Sequence, residues 1–132
     1  MYSLRKSKKG FTLIELMVVV AIIGILALLG LRLYTGQQEK AKNAIVKANA
    51  GTVQTLIQGE LADDTGLTEA EAVQLGLDAN LQNPYTGVAV QAEGTDNVAG
   101  AVEVDLNGTV FTVTGLDGSE TPAVVITLTA QP

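Results

Sequence analysis

One carboxylate is placed where it needs a chemical reason. Glu15 sits near the start of an apolar run, Phe11 to Leu33, whose only other charge is Arg32. An acid in such a segment costs about 2.5 to 3.5 kcal/mol on insertion scales at mid-membrane, less near the interface. An intramembrane acid is by default a functional residue, and its partner is a cation supplied by cleavage or by another chain. The other candidates are acidic turns: Asp63-Asp64, Asp96-Asn97 and Asp117-Gly118-Ser119-Glu120. Hard oxygen ligands of this kind bind calcium, and Asp117 and Glu120 are the first places to look. No spacing matches a defined calcium loop, so these read as solvated turns, and neither a metal nor a cofactor is expected. Asn107-Gly108-Thr109 fits an N-x-Thr acceptor for glycosylation, but Asn107 is also a turn residue, and modification is not expected. The chain has no Cys and no His, which removes thiol nucleophiles, Cys/His zinc sites and His-based acid or base catalysis. The paired carboxylates lie in loops with no positioned partner, so the chain is not expected to be an enzyme.

The elements that position Glu15 follow from length and charge. The chain has 132 residues, 47% of them apolar, which allows one small domain and argues against general disorder. Arg5, Lys6, Lys8 and Lys9 stand before the apolar run; the other basic residues are Arg32, Lys40, Lys42 and Lys47. From Ala48 onward there are no cations and twelve of the fourteen acids, a body unsuited to gripping a phosphate backbone. As a helix, the apolar run spans roughly 35 Å, enough to cross a bilayer. The basic residues before it place the N-terminus inside and the acidic body outside. A cleaved secretory signal would be shorter and end in a small-x-small site, which is not evident here.

The segment from Lys8 to Ala27, KKGFTLIELMVVVAIIGILA, resembles the class III signal of bacterial type IV pilins and type II secretion pseudopilins. A short basic leader ends in Gly10, Phe11 follows, and Glu15 stands fifth in the chain that cleavage would leave. The resemblance implies a cut between Gly10 and Phe11 by a membrane prepilin peptidase, methylation of the Phe11 amine, and assembly through Phe11 and Glu15. Glu15 would neutralise the N-terminal ammonium of a neighbouring subunit. A buried carboxylate and a buried ammonium are each tolerable only beside the other. Loss of the leader leaves four basic against fourteen acidic side chains, a net −10 before the termini.

The expected function is therefore that of a prepilin, with a major pilin favoured, polymerised with copies of itself into a type IV pilus. The expected partners are the peptidase, an inner-membrane assembly platform and the membrane before assembly. Location would be the inner membrane as a single-pass precursor, then the extracellular filament. The alternatives are a periplasmic pseudopilin of a secretion or DNA-uptake system, or a monomeric membrane-anchored acidic binding domain.

The rest of the chain reads as a stalk and a head. The implied fold class is α+β, the type IV pilin fold: a long N-terminal helix packed against a four-stranded antiparallel sheet. Residues 1–10 form the leader, 11–33 the membrane and filament-core half of the helix, 34–62 its amphipathic half, and 63–132 a small acidic head. No proline precedes Pro84, so any kink would rest on Gly24, Gly30 and Gly36. One helix is expected from Phe11 to Leu61, with an outer stripe of Ala41, Ile45, Ala48, Thr52, Leu56 and Gly59, widened by Val46, Val53 and Ile57. Thr68-Glu69-Ala70-Glu71 is a capping box for a short helix stopped by Gly76. Strands are expected at Val88 to Ala92, Ala101 to Leu106, Thr109 to Thr114 and Ala123 to Thr129. Asn107-Gly108 as a two-residue turn pairs Leu106 with Thr109, Val104 with Phe111 and Val102 with Val113. That leaves Glu103, Asp105, Val110 and Thr112 on the other, mostly polar face.

Overall fold

Gly24, Gly30 and Gly36 do not interrupt the first helix. In the computed structural model, which describes residues 10–63, 66–88 and 98–129, α1 runs unbroken over Leu13–Asp63. It begins and ends two residues later than the periodicity places it. The chain divides between Gln37 and Gln38 into two units.

In the first unit α1 is helical without cover, and every described residue up to Gln37 is exposed. An apolar segment that makes its own backbone bonds but buries no side chain is suited to lipid or to other chains rather than to water. It is the one helix among the described residues long and apolar enough to cross a membrane.

In the second unit, Val46, Asn49, Ala50, Val53 and Ile57 are the buried face of α1. This corrects the expected stripe. Ala41, Ile45, Ala48, Thr52 and Gly59 are exposed, and the residues taken as its margin form the core. At about 100° per residue the two sets are centred roughly 130° apart around the helix. Val46, Val53 and Ile57 on the inner side bury more apolar area than the Ala, Thr and Gly residues that dominate the other side could.

The second helix, α2 (Glu69–Asp78), starts at the expected box with Thr68 as N-cap. It does not stop at Gly76, which is buried inside it; the left-handed residue that ends it is Asn80, at φ 50°.

Three strands follow among the described residues: β1 (Val102–Asn107), β2 (Val110–Leu116) and β3 (Pro122–Thr129), antiparallel in that order. The fold is α+β. The expected strand Val88 to Ala92 lies, beyond Val88, outside the described residues. Val88 itself is not in a strand, and its carbonyl accepts from the Asn83 N–H at 2.8 Å.

The hairpin register differs from expectation by two residues. Asn107 pairs with Val110, Leu106 with Phe111, Val104 with Val113 and Val102 with Gly115. The turn residues are Gly108 and Thr109, and Gly108 alone of the pair is left-handed, at φ 66°. Glycine first fits a primed turn that needs positive φ at its first central position. A slip of two keeps every side chain on its face, so the inward set survives the correction. Val102, Val104, Phe111, Val113 and Leu128 pack with Ala50, Val53 and Ile57 of α1 and with Leu67 and Ala72. Gly115 permits this closeness, since a Cβ there would stand 2.8 Å from Val46 Cγ1.

Candidate functional site

Helix α1 is started by the same four-residue device as α2. The Thr12 N–H donates to Glu15 Oε2 at 2.9 Å, and the Glu15 N–H donates to Thr12 Oγ1 at 3.3 Å. Thr12 is thus the N-cap and Glu15 the third helical residue of a reciprocal capping box. Two of the orphan donors at a helix start are satisfied within the chain, and the carboxylate sits at the favourable end of the helix dipole. Only Oε2 is engaged; Oε1 makes no hydrogen bond among the described residues. One oxygen of the Glu15 carboxylate is therefore uncommitted among the described residues. Phe11 is 89% exposed, and Gly10, exposed too, precedes the helix without regular structure. Sequence reasoning weighed Glu15 for charge and missed Thr12. The signal was the Thr-x-x-Glu spacing before an apolar run, the pattern already used for Thr68 and Glu71.

The acidic turns are structural where they are described. Asp117 Oδ1 accepts from the Ser119 and Thr121 N–H groups at 2.8 and 3.1 Å, and Oδ2 from the Thr121 hydroxyl at 2.8 Å. Those hydrogen bonds, the Thr121 hydroxyl foremost, hold the carboxyl below its ordinary value. Glu120, at φ 59°, turns the chain toward β3. Among the described residues no three His, Cys, Asp or Glu side chains gather at a metal-sized site. Asn107 is not a turn residue but the exposed last residue of β1. Asp64 and Asp96-Asn97 lie outside the described residues.

A second polar cluster, not foreseen, fastens the turn at Asn83 to Gly87 onto α1. Asn83 Oδ1 accepts from the Tyr85 N–H at 2.8 Å, its Nδ2 donates to Ala99 O at 2.9 Å, and the Tyr85 hydroxyl donates to Asn43 Oδ1 at 2.6 Å. Lys42 Nζ stands 4.9 Å from the Tyr85 ring centroid, and Asn49 donates to Gln82 O at 3.1 Å. Desolvation, then Glu39, pushes the Tyr85 phenol up. Buried Asn49 and Asn83 are both hydrogen-bonded, as buried polar side chains require.

A helix start carrying a lone carboxylate, an apolar uncovered helix and an α+β head define a class of protein. Residues 5–31 match the prokaryotic N-terminal methylation motif. The chain is 31% identical over 110 residues to a type IV major alpha-pilin of Moraxella bovis, covering 76% of this chain and 69% of that one. It is 30% identical over 131 residues to a fimbrial protein of Pseudomonas aeruginosa, covering 96% and 81%. It is 39% identical over 97 residues to fimbrial protein EcpC of Eikenella corrodens, covering 72% of this chain and 62% of the relative. The match to fimbrial protein Q of Moraxella bovis spans 43% of that relative's length. No solved structure matches the chain significantly. The chain belongs to the type IV pilin family. These relatives are structural proteins rather than enzymes.

Proposed function

We propose that the chain is a prepilin whose processed form is the structural, major-type subunit of a type IV pilus. The observation that carries this is the coincidence, at one helix start, of a methylation motif, a carboxylate with one uncommitted oxygen, and an exposed apolar helix. A prepilin peptidase cuts between Gly10 and Phe11 and the new Phe11 amine is methylated. Residues 1–10 are then the leader, 11–33 the segment that lies in the inner membrane and later in the filament, 34–62 the amphipathic helix and 63–132 the head. A fourth strand completes the pilin fold in this reading.

The energetics set what Glu15 does. Passing from lipid to a filament core moves an apolar helix between two apolar surroundings, so the hydrophobic effect supplies little direction. Charge neutralisation supplies it. The leader's cations leave with the leader, and the Phe11 ammonium of an incoming subunit meets Glu15 of its neighbour, each offsetting the other's desolvation. Thr12 holds the Glu15 carboxylate at the helix start while Oε1 stays available. An inner-membrane assembly platform would present the subunits, and the finished filament lies outside the cell.

Gold labelling of an epitope on the head, viewed by electron microscopy, tests the reading. Label along the length of surface filaments is expected. Label confined to short periplasmic fibres would replace the pilus with a secretion pseudopilin, and label only at the membrane would reduce the chain to an anchor.

A further inference from the structure

Charge is segregated along the processed chain in a way that a polymer must accommodate. Its four cations all lie between Arg32 and Lys47, whereas twelve of its fourteen acids follow Ala48. Identical subunits of net −10 brought side by side repel one another unless cations of one face acids of the next. Lys42 is already spent over the Tyr85 ring. Lys40 and Lys47 are exposed and make no ion pair among the described residues. They lie seven residues apart, hence on one face of α1 about two turns from each other.

The acids offer a matching feature elsewhere. A cleft of about 220 Å³ between the end of α1 and α2 is lined by Leu67 and Leu75 together with Glu60, Glu71, Gln74 and Asp78. Glu71 accepts from Thr68 and Asp78 from the Gln74 amide at 2.8 Å, while Glu60 has no partner among the described residues. An apolar floor with an acidic rim suits the long methylene stem and terminal ammonium of a lysine. Glu60 lies 13 residues beyond Lys47 and 20 beyond Lys40, so at about 100° per residue it points roughly 140 to 160° away from them. Complementary patches on different sides of one molecule make a heterologous contact, which propagates into a fibre instead of closing into a dimer.

Resting on the filament reading, we infer that Lys40 and Lys47 of one subunit dock at the Glu60, Glu71 and Asp78 cleft of a second copy. The spacing along α1 sets the axial stagger of that pair at about 20 to 30 Å, from about 1.5 Å per residue. It is a different contact from the pairing of Phe11 with Glu15, and it joins heads rather than helix starts.

The absence of Cys makes the test clean. The full chain carrying Lys47→Cys with Glu60→Cys, assembled in cells and oxidised, is expected to give a ladder of disulfide-linked multimers on a non-reducing gel. Each single variant gives no species beyond a dimer. In parallel, Lys40→Glu with Lys47→Glu is expected to lower filament yield at least tenfold, and adding Glu60→Lys with Asp78→Lys to restore most of it. Normal filaments from the lysine reversals, or filaments of the cysteine pair that never form a ladder, would overturn the contact. Failure of the unaltered chain to form filaments would overturn the filament reading itself.

Discussion

The two capped helix starts are built alike and serve different ends. At α2 the Thr68 N–H donates to Glu71 Oε2 at 2.9 Å, and at α1 the Thr12 N–H donates to Glu15 Oε2 at the same distance. Around Thr68 the surroundings are a folded head: Leu67 and Ala72 belong to the core. Around Thr12 nothing packs among the described residues, and Leu13, Ile14 and Leu16 are all more than half exposed. One hydrogen-bond pattern therefore starts a helix that the head needs, and the same pattern presents a carboxylate to whatever covers the other. The lesson is that a cap's contribution depends on what its helix is packed against.

The sharpest way to break this comparison is to remove each acid in turn. Glu15→Ala is expected to reduce surface filaments at least tenfold while leaving the head's melting temperature unchanged, by yield and by circular dichroism. Glu71→Ala, by contrast, should lower the head's melting temperature, since it removes the cap of a helix that belongs to the folded head. Next in size, Ile57→Ala removes a fully buried side chain from the second half of α1 and should cost about 2 to 5 kcal/mol in denaturant unfolding. Leu26→Ala, on the exposed half, should leave head stability as it was.

Smaller again, Thr68→Ala should destabilise the head by about 1 kcal/mol, whereas Thr12→Ala should leave the head's unfolding free energy untouched. The smallest effects are those of pH. Hydrogen bonds from the Thr68 backbone and then its hydroxyl lower the Glu71 carboxyl, so the native state binds fewer protons there than the unfolded chain. The stability this supplies is present above the ordinary carboxylate value and is lost as pH falls through the folded one. Glu103 has the opposite sign. Burial, then Asp105, raises it, and its Oε1 is buried without a partner among the described residues. Its contribution is present below the ordinary value and is lost as pH rises through the folded one. Glu103→Gln should raise the melting temperature at neutral pH and leave it unchanged in acid.

Much of this was legible in the residues. The long helix, the α2 cap, three strands and the inward faces of the hairpin follow from period, capping spacing and alternation. What failed did so for physical reasons. The helical period is legible but the buried face is not, because Ala41, Ile45, Ala48, Thr52, Leu56 and Gly59 recur with the same kind of spacing as Val46, Val53 and Ile57, and periodicity alone does not rank faces. The hairpin turn was centred on Asn107-Gly108 because that pair favours two left-handed residues; pairing of Asn107 with Val110 moved the turn on by one residue at each end of the loop. Gly76 reads as a stop because glycine commonly ends helices, but it lies buried inside α2, and Asn80 supplies the left-handed residue instead. The Tyr85 cluster was not legible, since it joins residues some forty positions apart whose proximity exists only after folding.

The account stands or falls on what the filament is made of. Intact mass spectrometry of the subunit from sheared surface filaments measures this most directly. The predicted result is a dominant species that begins at Phe11 and carries one added methyl group. A filament without this chain, with the intact Met1 species confined to the membrane, would contradict it.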